Sequence, residues 1–195
     1  MSLRLSGGRL LQSPPGSVAR PTPARVRQAV MNMLAPDLQG ARWLDLFCGS
    51  GVMGCEALMR GAAAVVAVDQ DRRMLATSRA NLEAVNRGRG QPAELELVGA
   101  EVLRWLEVGA AQRSGGTGKA RSFDLIYADP PYAADLYLGI AAAVAQGGWL
   151  RPEGQMVWEC ASVAVPAVPE GWRLVKQKRY GTSSILVLRG EAPKA

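Results

Sequence analysis

Histidine is absent from the 195 residues of this chain, and that gap removes a large part of enzyme chemistry. With no imidazole to act as general base, Ser-His-Asp and Cys-His arrangements are excluded, and any reaction has to be run by carboxylates and backbone. Cysteine is scarce as well. Cys48, Cys55 and Cys160 are too few and too scattered for a disulfide framework, and without histidine they make a poor zinc set. Buried free thiols and no metal are therefore expected. Long apolar runs are missing too: none approaches the roughly 18 residues that a membrane helix needs. The start Met1-Ser2-Leu3-Arg4-Leu5-Ser6-Gly7-Gly8 lacks the apolar core of a secretory signal. A cytoplasmic protein with no membrane partner is the expectation.

Acidic residues are scarce where basic ones gather. The net charge is +6, and before residue 45 the arginines at 4, 9, 20, 25, 27 and 42 stand against Asp37 alone. A solvated face could look like this, but so lopsided a segment favours a polyanionic partner. The rest of the composition, 48% hydrophobic and 21% charged, fits one globular domain with a sizeable core. Residues 1–195 thus read as a single domain, with 1–40 as a basic arm and helix and 41–190 as the core. Within the arm, Thr22 can cap a helix with Pro23 at its first position. Val26, Ala29, Val30, Met33 and Leu34 then form an apolar stripe that ends at Pro36.

From about residue 41 short apolar runs alternate with helical patterns, the mark of βαβ units around a parallel sheet. Strands are expected near 41–47, 64–69, 94–98, 123–128 and 154–160, with helices near 52–60, 71–86, 101–109 and 134–146. The runs Trp172–Lys178 and Ser183–Leu188 flank Arg179-Tyr180-Gly181-Thr182, which predicts a terminal antiparallel hairpin. The segment 112–121 contains Gly118-Lys119, but a P-loop reading fails. Its first glycine would fall at Arg113, the Ser/Thr after the lysine is Ala120, and the loop precedes a strand where a P-loop follows one.

Two features carry chemistry. The first strand ends Trp43-Leu44-Asp45-Leu46-Phe47-Cys48 and runs into Gly49-Ser50-Gly51-Val52-Met53-Gly54 before a helix, while the second ends at Asp69, 20 residues after Gly49. Glycines there let the backbone turn sharply and approach a ligand. Letter for letter this is also the dinucleotide fingerprint, so the motif alone leaves a dehydrogenase open. Against it, Asp45 just before the loop would oppose a pyrophosphate but could hold a cationic amino-acid group, and no proton donor stands out. The second feature is Asp129-Pro130-Pro131-Tyr132, directly after the apolar run Phe123–Ala128. Two prolines fix two φ angles and remove two N–H donors, leaving carboxylate and carbonyl acceptors beside an aromatic face. That suits a flat base carrying an NH₂ group, although a rigid strand-to-helix turn would look the same.

The segment from Asp45 to Gly51, the acid Asp69 and the Asp129–Tyr132 turn together resemble class I S-adenosylmethionine-dependent methyltransferases acting on exocyclic amines. With Arg20-Pro21-Thr22-Pro23-Ala24-Arg25-Val26-Arg27 upstream and Glu56-Ala57-Leu58, the chain is similar to bacterial 16S rRNA guanine-N2 methyltransferases of the RsmD type. The resemblance implies a Rossmann-like α/β sheet, mostly parallel with a C-terminal antiparallel hairpin. It implies S-adenosylmethionine held by Asp45, Phe47, Gly49, Ser50, Gly51, Asp69, Gln70 and Glu101, and catalysis by Asp129, Pro130, Pro131 and Tyr132. It also implies RNA contacts from Arg20, Thr22, Arg25 and Arg27, and 16S rRNA, in the small subunit or an assembly intermediate, as partner. For Asp45 and Glu101, plain helix-terminus roles stay open. An adenine-N6 methyltransferase and a non-catalytic RNA-binding or assembly protein remain the alternatives.

Overall fold

The computed structural model describes residues 3–13, 22–114, 122–131 and 134–191. The chain falls into two compact units, Met1–Ala100 and Glu101–Ala195. In the first, a small hairpin of β1 (Leu3–Arg4) and β2 (Leu10–Leu11) precedes α1 (Ala24–Met33), α2 (Ala35–Leu38) and β3 (Arg42–Leu46). There follow α3 (Val52–Met59), β4 (Ala64–Asp69), α4 (Arg72–Arg87) and β5 (Glu94–Gly99). β3 pairs with β4, and β4 with β5, all parallel. β3 and β4 are buried on both faces, which is why they read as unbroken apolar runs.

Two helices hold the turn that follows β3. α3 is buried from Val52 to Leu58, and Gly54 lets it approach its neighbours: a Cβ there would lie 3.0 Å from Val65 Cγ1 and 3.1 Å from Leu82 Cδ2. α4 begins at a good cap, Asp71, whose Oδ1 accepts from the N–H groups of Arg73 (2.7 Å) and Met74 (3.3 Å).

The second unit holds α5 (Val102–Ser114), β6 (Phe123–Ala128), α6 (Ala134–Gln146), β7 (Leu150–Ala161), β8 (Trp172–Tyr180) and β9 (Ser183–Gly190). β6 and β7 are parallel, whereas β9 pairs antiparallel with both β7 and β8. The terminal hairpin is therefore present, its turn narrowed to Gly181 and Thr182. β7 starts at Leu150 rather than 154. Leu150 pairs with Phe123 but Gln155 with Leu125, so Pro152 sits in an irregularity where its missing N–H breaks no ladder bond. Trp149 anchors this end. Its Nε1 donates to the Leu106 carbonyl (3.1 Å), and its ring lies where a Cβ on Gly109 would come within 2.5 Å, which accounts for a glycine inside α5.

The arm differs from expectation at two points. α1 starts one residue later than predicted, with Pro23 as its N-cap and no side-chain cap from Thr22. Its buried face is Val26, Arg27, Val30 and Met31, not the stripe through Ala29 and Met33. Arg27 is 4% exposed and pairs with Glu56 of α3, 1% exposed, at 3.4 Å. Its guanidinium also donates to the Thr22 carbonyl (2.7 Å) and to the Arg4 carbonyl. Glu56 Oε1 accepts further from Ser6, through both N–H (3.0 Å) and Oγ (2.9 Å). The assignment of Arg27 to phosphate is thus corrected: its charge is spent inside, joining hairpin, α1 and α3. Arg25 is exposed, and Arg20 lies outside the described residues.

Removing one partner of a buried ion pair strands the other, at a cost of about 3–5 kcal/mol. Arg27→Met is expected to lose that much stability in urea unfolding, and Arg27→Met with Glu56→Leu to recover much of it. Arg25→Met, at the exposed neighbour, is expected to stay within about 0.5 kcal/mol of the parent.

Candidate active site

At the carboxyl end of β3 the chain leaves the strand through Phe47, whose φ of 62° is the only positive value at a non-glycine among the described residues. A bulky side chain in that region costs on the order of 1 kcal/mol or more. Bonds on its C-terminal side impose it: Cys48 N–H donates to the Val68 carbonyl (3.0 Å), and the Cys48 carbonyl accepts from Gly51 N–H (2.8 Å). Gly49 (φ 52°) and Gly51 (φ 74°) complete the turn. At Gly49 a Cβ would meet nothing within 4 Å, so the backbone is open to a ligand there. At Gly51 it would strike Ser78 Oγ at 2.4 Å.

The carboxylates are spent on this turn. Asp69, at the end of β4, takes the Gly49 N–H on Oδ2 (2.8 Å) and the Asp71 N–H on Oδ1 (2.9 Å). Asp45, 1% exposed, takes the Gly54 N–H on Oδ2 (3.1 Å). The N–H groups of Gly49, Gly51 and Gly54, which a dinucleotide site would turn toward pyrophosphate, are all donated within the protein. Those three donors are consequently not available to an anion. What the loop offers is acceptor capacity: each Asp69 oxygen keeps a lone pair for a hydroxyl or amine. Gln70, next to Asp69, is exposed, and Ser50 is buried.

Burial pushes the Asp45 carboxyl up to about 7, against the bond from Gly54 and with help from the Asp69 charge. Burial also raises the thiols of Cys48 and Cys55, and all three cysteines are free and buried. No group of residues that could hold a metal ion occurs among the described residues, and no helix there is long and apolar enough to cross a membrane.

α4 supplies residues that sequence reasoning missed. Asn81, buried, donates from Nδ2 to the Ser50 carbonyl and to the Gln12 carbonyl, both at 3.0 Å, and accepts the Gln12 N–H on Oδ1 at 2.8 Å. One amide therefore ties the glycine turn to the chain just after β2. The available signal was polar: Thr77, Ser78 and Asn81 share the buried face of α4 with Met74, Leu82 and Val85.

In the second unit β6 ends at Ala128, paired with Trp158, and the chain turns through Asp129 (half-buried), Pro130 (buried) and Pro131 (exposed). Tyr132 lies outside the described residues. Behind the turn, Tyr127 donates to Glu159 Oε2 (2.5 Å) and Tyr137 to the Glu159 carbonyl (2.6 Å). Burial raises Glu159 above the usual carboxylate range, with the Tyr127 bond opposing. Asp129 lies close enough for its charge to add to the raised values of Tyr137 and Cys160, where burial is the larger cause. Glu101 caps α5, taking the N–H groups of Leu103 (3.0 Å) and Arg104 (2.8 Å) on its two oxygens.

The family described as Conserved hypothetical protein 95 matches residues 5–189. The chain belongs to that family. Over 186 residues it is 30% identical to the Ribosomal RNA small subunit methyltransferase D of Escherichia coli (strain K12), covering 95% of this chain and 86% of that protein. Among solved structures, yhhF from Escherichia coli, provisionally described as a methyltransferase, superposes with a TM-score of 0.78 at 28% identity, over 98% of this chain and 99% of that one. The rRNA methyltransferase aviRa of Streptomyces viridochromogenes shares the fold at a TM-score of 0.68 and 18% identity, over 92% and 88% of the two chains. This family member is a methyltransferase with the class I fold.

Asp45 gives a pH test. Unfolded, it ionises near its ordinary 3.8, and folded near 7. Between these values the unfolded chain gives up its proton first, so Asp45's contribution is full below about 4 and is lost as pH rises through about 7. The loss is on the order of 4 kcal/mol. Asp45→Asn keeps the acceptor for Gly54 and removes the titration. In urea unfolding its stability relative to the parent is expected to rise steadily from pH ~4 to pH ~7. A difference that does not change with pH would reject a buried acid here.

Proposed function

We propose that this enzyme transfers a methyl group from S-adenosylmethionine to the exocyclic N2 amine of a guanine in 16S rRNA, in the small subunit or one of its assembly intermediates. The observation that carries the reading is the Asp129-Pro130-Pro131 turn at the end of a buried parallel strand. The near full-length similarity to a small-subunit rRNA methyltransferase supports rRNA as substrate. In this reading residues 41–190 form the catalytic core and residues 1–40 an RNA-binding extension, with Arg20, Thr22 and Arg25 toward RNA.

The glycine turn fits the cofactor. Open space at Gly49, the spare lone pairs of Asp69 and glycine N–H groups already satisfied at Gly49, Gly51 and Gly54 suit a ligand bearing hydroxyls and a cationic amino acid. Asp69 would hold the ribose, while Asp45, Phe47, Gly49, Ser50 and Gly51 would cradle the methionine part. Gln70 and Glu101 are the candidates for adenine. When bound, S-adenosylmethionine supplies an electrophilic methyl group on a sulfonium.

The amine of guanine is a weak nucleophile because its lone pair is delocalised into the ring. Asp129 and the Pro130 carbonyl can each accept one N–H bond, which draws the nitrogen toward tetrahedral geometry and aims its lone pair. Pro131 holds the turn at a fixed φ. Tyr132 would stack on the base, a contact worth roughly 1–3 kcal/mol. As the amine gains positive charge, the Asp129 carboxylate stabilises it, and loss of one N–H proton to solvent leaves the neutral methylated amine. A stacked base could not reach this turn, so the target is unpaired or flipped out.

Asp129→Ala is expected to lower methyl transfer at least ~10²-fold while calorimetry shows S-adenosylmethionine binding within a few fold of the parent. The reading itself is checked on small subunits from cells lacking this protein. After incubation with the enzyme and cofactor, mass spectrometry should find one new N2-methylguanine in 16S rRNA. Methyl groups on adenine N6, or none, would overturn it.

A further inference from the structure

The terminal hairpin carries charge that neither the fold nor the catalytic turn uses. Residues 171–190 contain Arg173, Lys176, Lys178, Arg179 and Arg189 and no carboxylate. Arg189 is paired with Glu153. Among the described residues no carboxylate pairs with Arg173, Lys176, Lys178 or Arg179, and all four are exposed.

Strand register sorts these cations. Arg173 stands opposite Arg189, Leu174 opposite Leu188 and Lys176 opposite Val187, so Val175 is an extra residue in β8. Without it, Arg173 and Lys176, three apart in sequence, would point to opposite faces. With it, Arg173, Lys176, Lys178 and Tyr180 share the face that also bears Arg189, Val187, Ile185 and Ser183 of β9. The three cations form a row with steps of about 7 Å, ending at a half-buried tyrosine.

The same register fixes where the row leads. Ala128 pairs with Trp158, Trp158 with Leu186 and Leu186 with Gln177. Lys178 and Tyr180 therefore lie at the edge of the sheet where β6 delivers Asp129. Three strand spacings, about 14 Å, separate β6 from β8. Exposed lysines on an edge strand also discourage pairing with other strands, but that purpose does not require them to share a face or a bulge that aligns them.

We infer that the Arg173–Lys176–Lys178 row, with Tyr180 at its end, is a docking surface for the RNA strand flanking the methylated guanine. This rests on the rRNA reading above and adds a second contact region, in the hairpin, to the one expected in the arm. Three lysine or arginine contacts to phosphate release counterions and steepen the dependence of affinity on salt, and Tyr180 offers a ring to an unpaired base.

The test compares the parent with the variant R173Q/K176Q/K178Q for binding to deproteinised 16S rRNA between about 50 and 200 mM salt. The slope of log K against log salt is expected to flatten by about 2–3. S-adenosylmethionine binding should stay unchanged, and KM for rRNA should rise while kcat holds. An unchanged slope and affinity overturn the surface, including the case where the variant merely self-associates more or loses a protein partner. Should the variant not fold, acylation of Lys176 and Lys178 in the parent decides. Protection by rRNA supports the surface, and equal labelling with and without rRNA overturns it. Parent enzyme that methylates rRNA alongside an unchanged slope sinks this surface alone. Parent enzyme that binds rRNA through the row yet transfers no methyl group sinks the activity instead.

Discussion

The structure turns on how the backbone N–H groups of one glycine loop are satisfied. A strand that breaks into a tight turn before a helix leaves donors pointing outward, and the usual way to use them is to bind an anion. Here two carboxylates do so first. Asp69 takes the Gly49 N–H, Asp45 takes the Gly54 N–H at the head of α3, and Gly51 closes back on Cys48. The glycine pattern is that of a dinucleotide loop, but its electrostatics are inverted: acceptors remain where a phosphate would need donors. The cost is a carboxyl held in a dry place, and the upward shift of Asp45 records it. A ligand bringing positive charge or hydroxyls relieves that cost, whereas a pyrophosphate would add to it.

The turn is held from outside by polar groups inserted into apolar faces. Asn81 satisfies the Ser50 carbonyl and both backbone groups of Gln12, so the arm and the loop share one amide. Arg27 and Glu56 do the same for the hairpin, α1 and α3. Such groups are expensive to bury unless every partner is present, so each is a test of correct assembly as much as a source of stability. Through these contacts the arm is part of the structure around the glycine loop as well as a candidate for RNA.

The legible elements were those whose pattern had a single cause. β6 and α6 fell at 123–128 and 134–146 as predicted because an unbroken apolar run and a proline pair leave no other phase. α1 was misphased because an arginine lies on its buried side, and a charge counted as exposed rotates the inferred stripe. β7 begins four residues before 154 because Pro152, a residue that favours turns, is absorbed by an irregular pairing that no sequence pattern announces. Asp129, Asp45 and Asp69 were legible as acids at strand ends. Their hydrogen bonds were not, since sequence does not say which N–H a carboxylate takes. The aligned cations of β8 were hidden for a similar reason: spacing of three and two residues has no common period until a bulge supplies one.

Charge is segregated within the second unit. The Asp129-Pro130-Pro131 turn presents a carboxylate and, through its prolines, carbonyls without N–H donors, while the cations lie three strands away in the hairpin. A nucleic acid offers two chemically opposed surfaces, phosphates that seek donors and base amines that seek acceptors. In the proposed reading, a cation beside Asp129 would neutralise the carboxylate that accepts the amine and would draw a phosphate into its place. Holding the cations at a distance of about 14 Å, beyond a Debye length at physiological salt, keeps both surfaces intact. The antiparallel hairpin at the end of a parallel sheet makes this possible, because it carries a charged strand to the same edge without bringing it next to the turn.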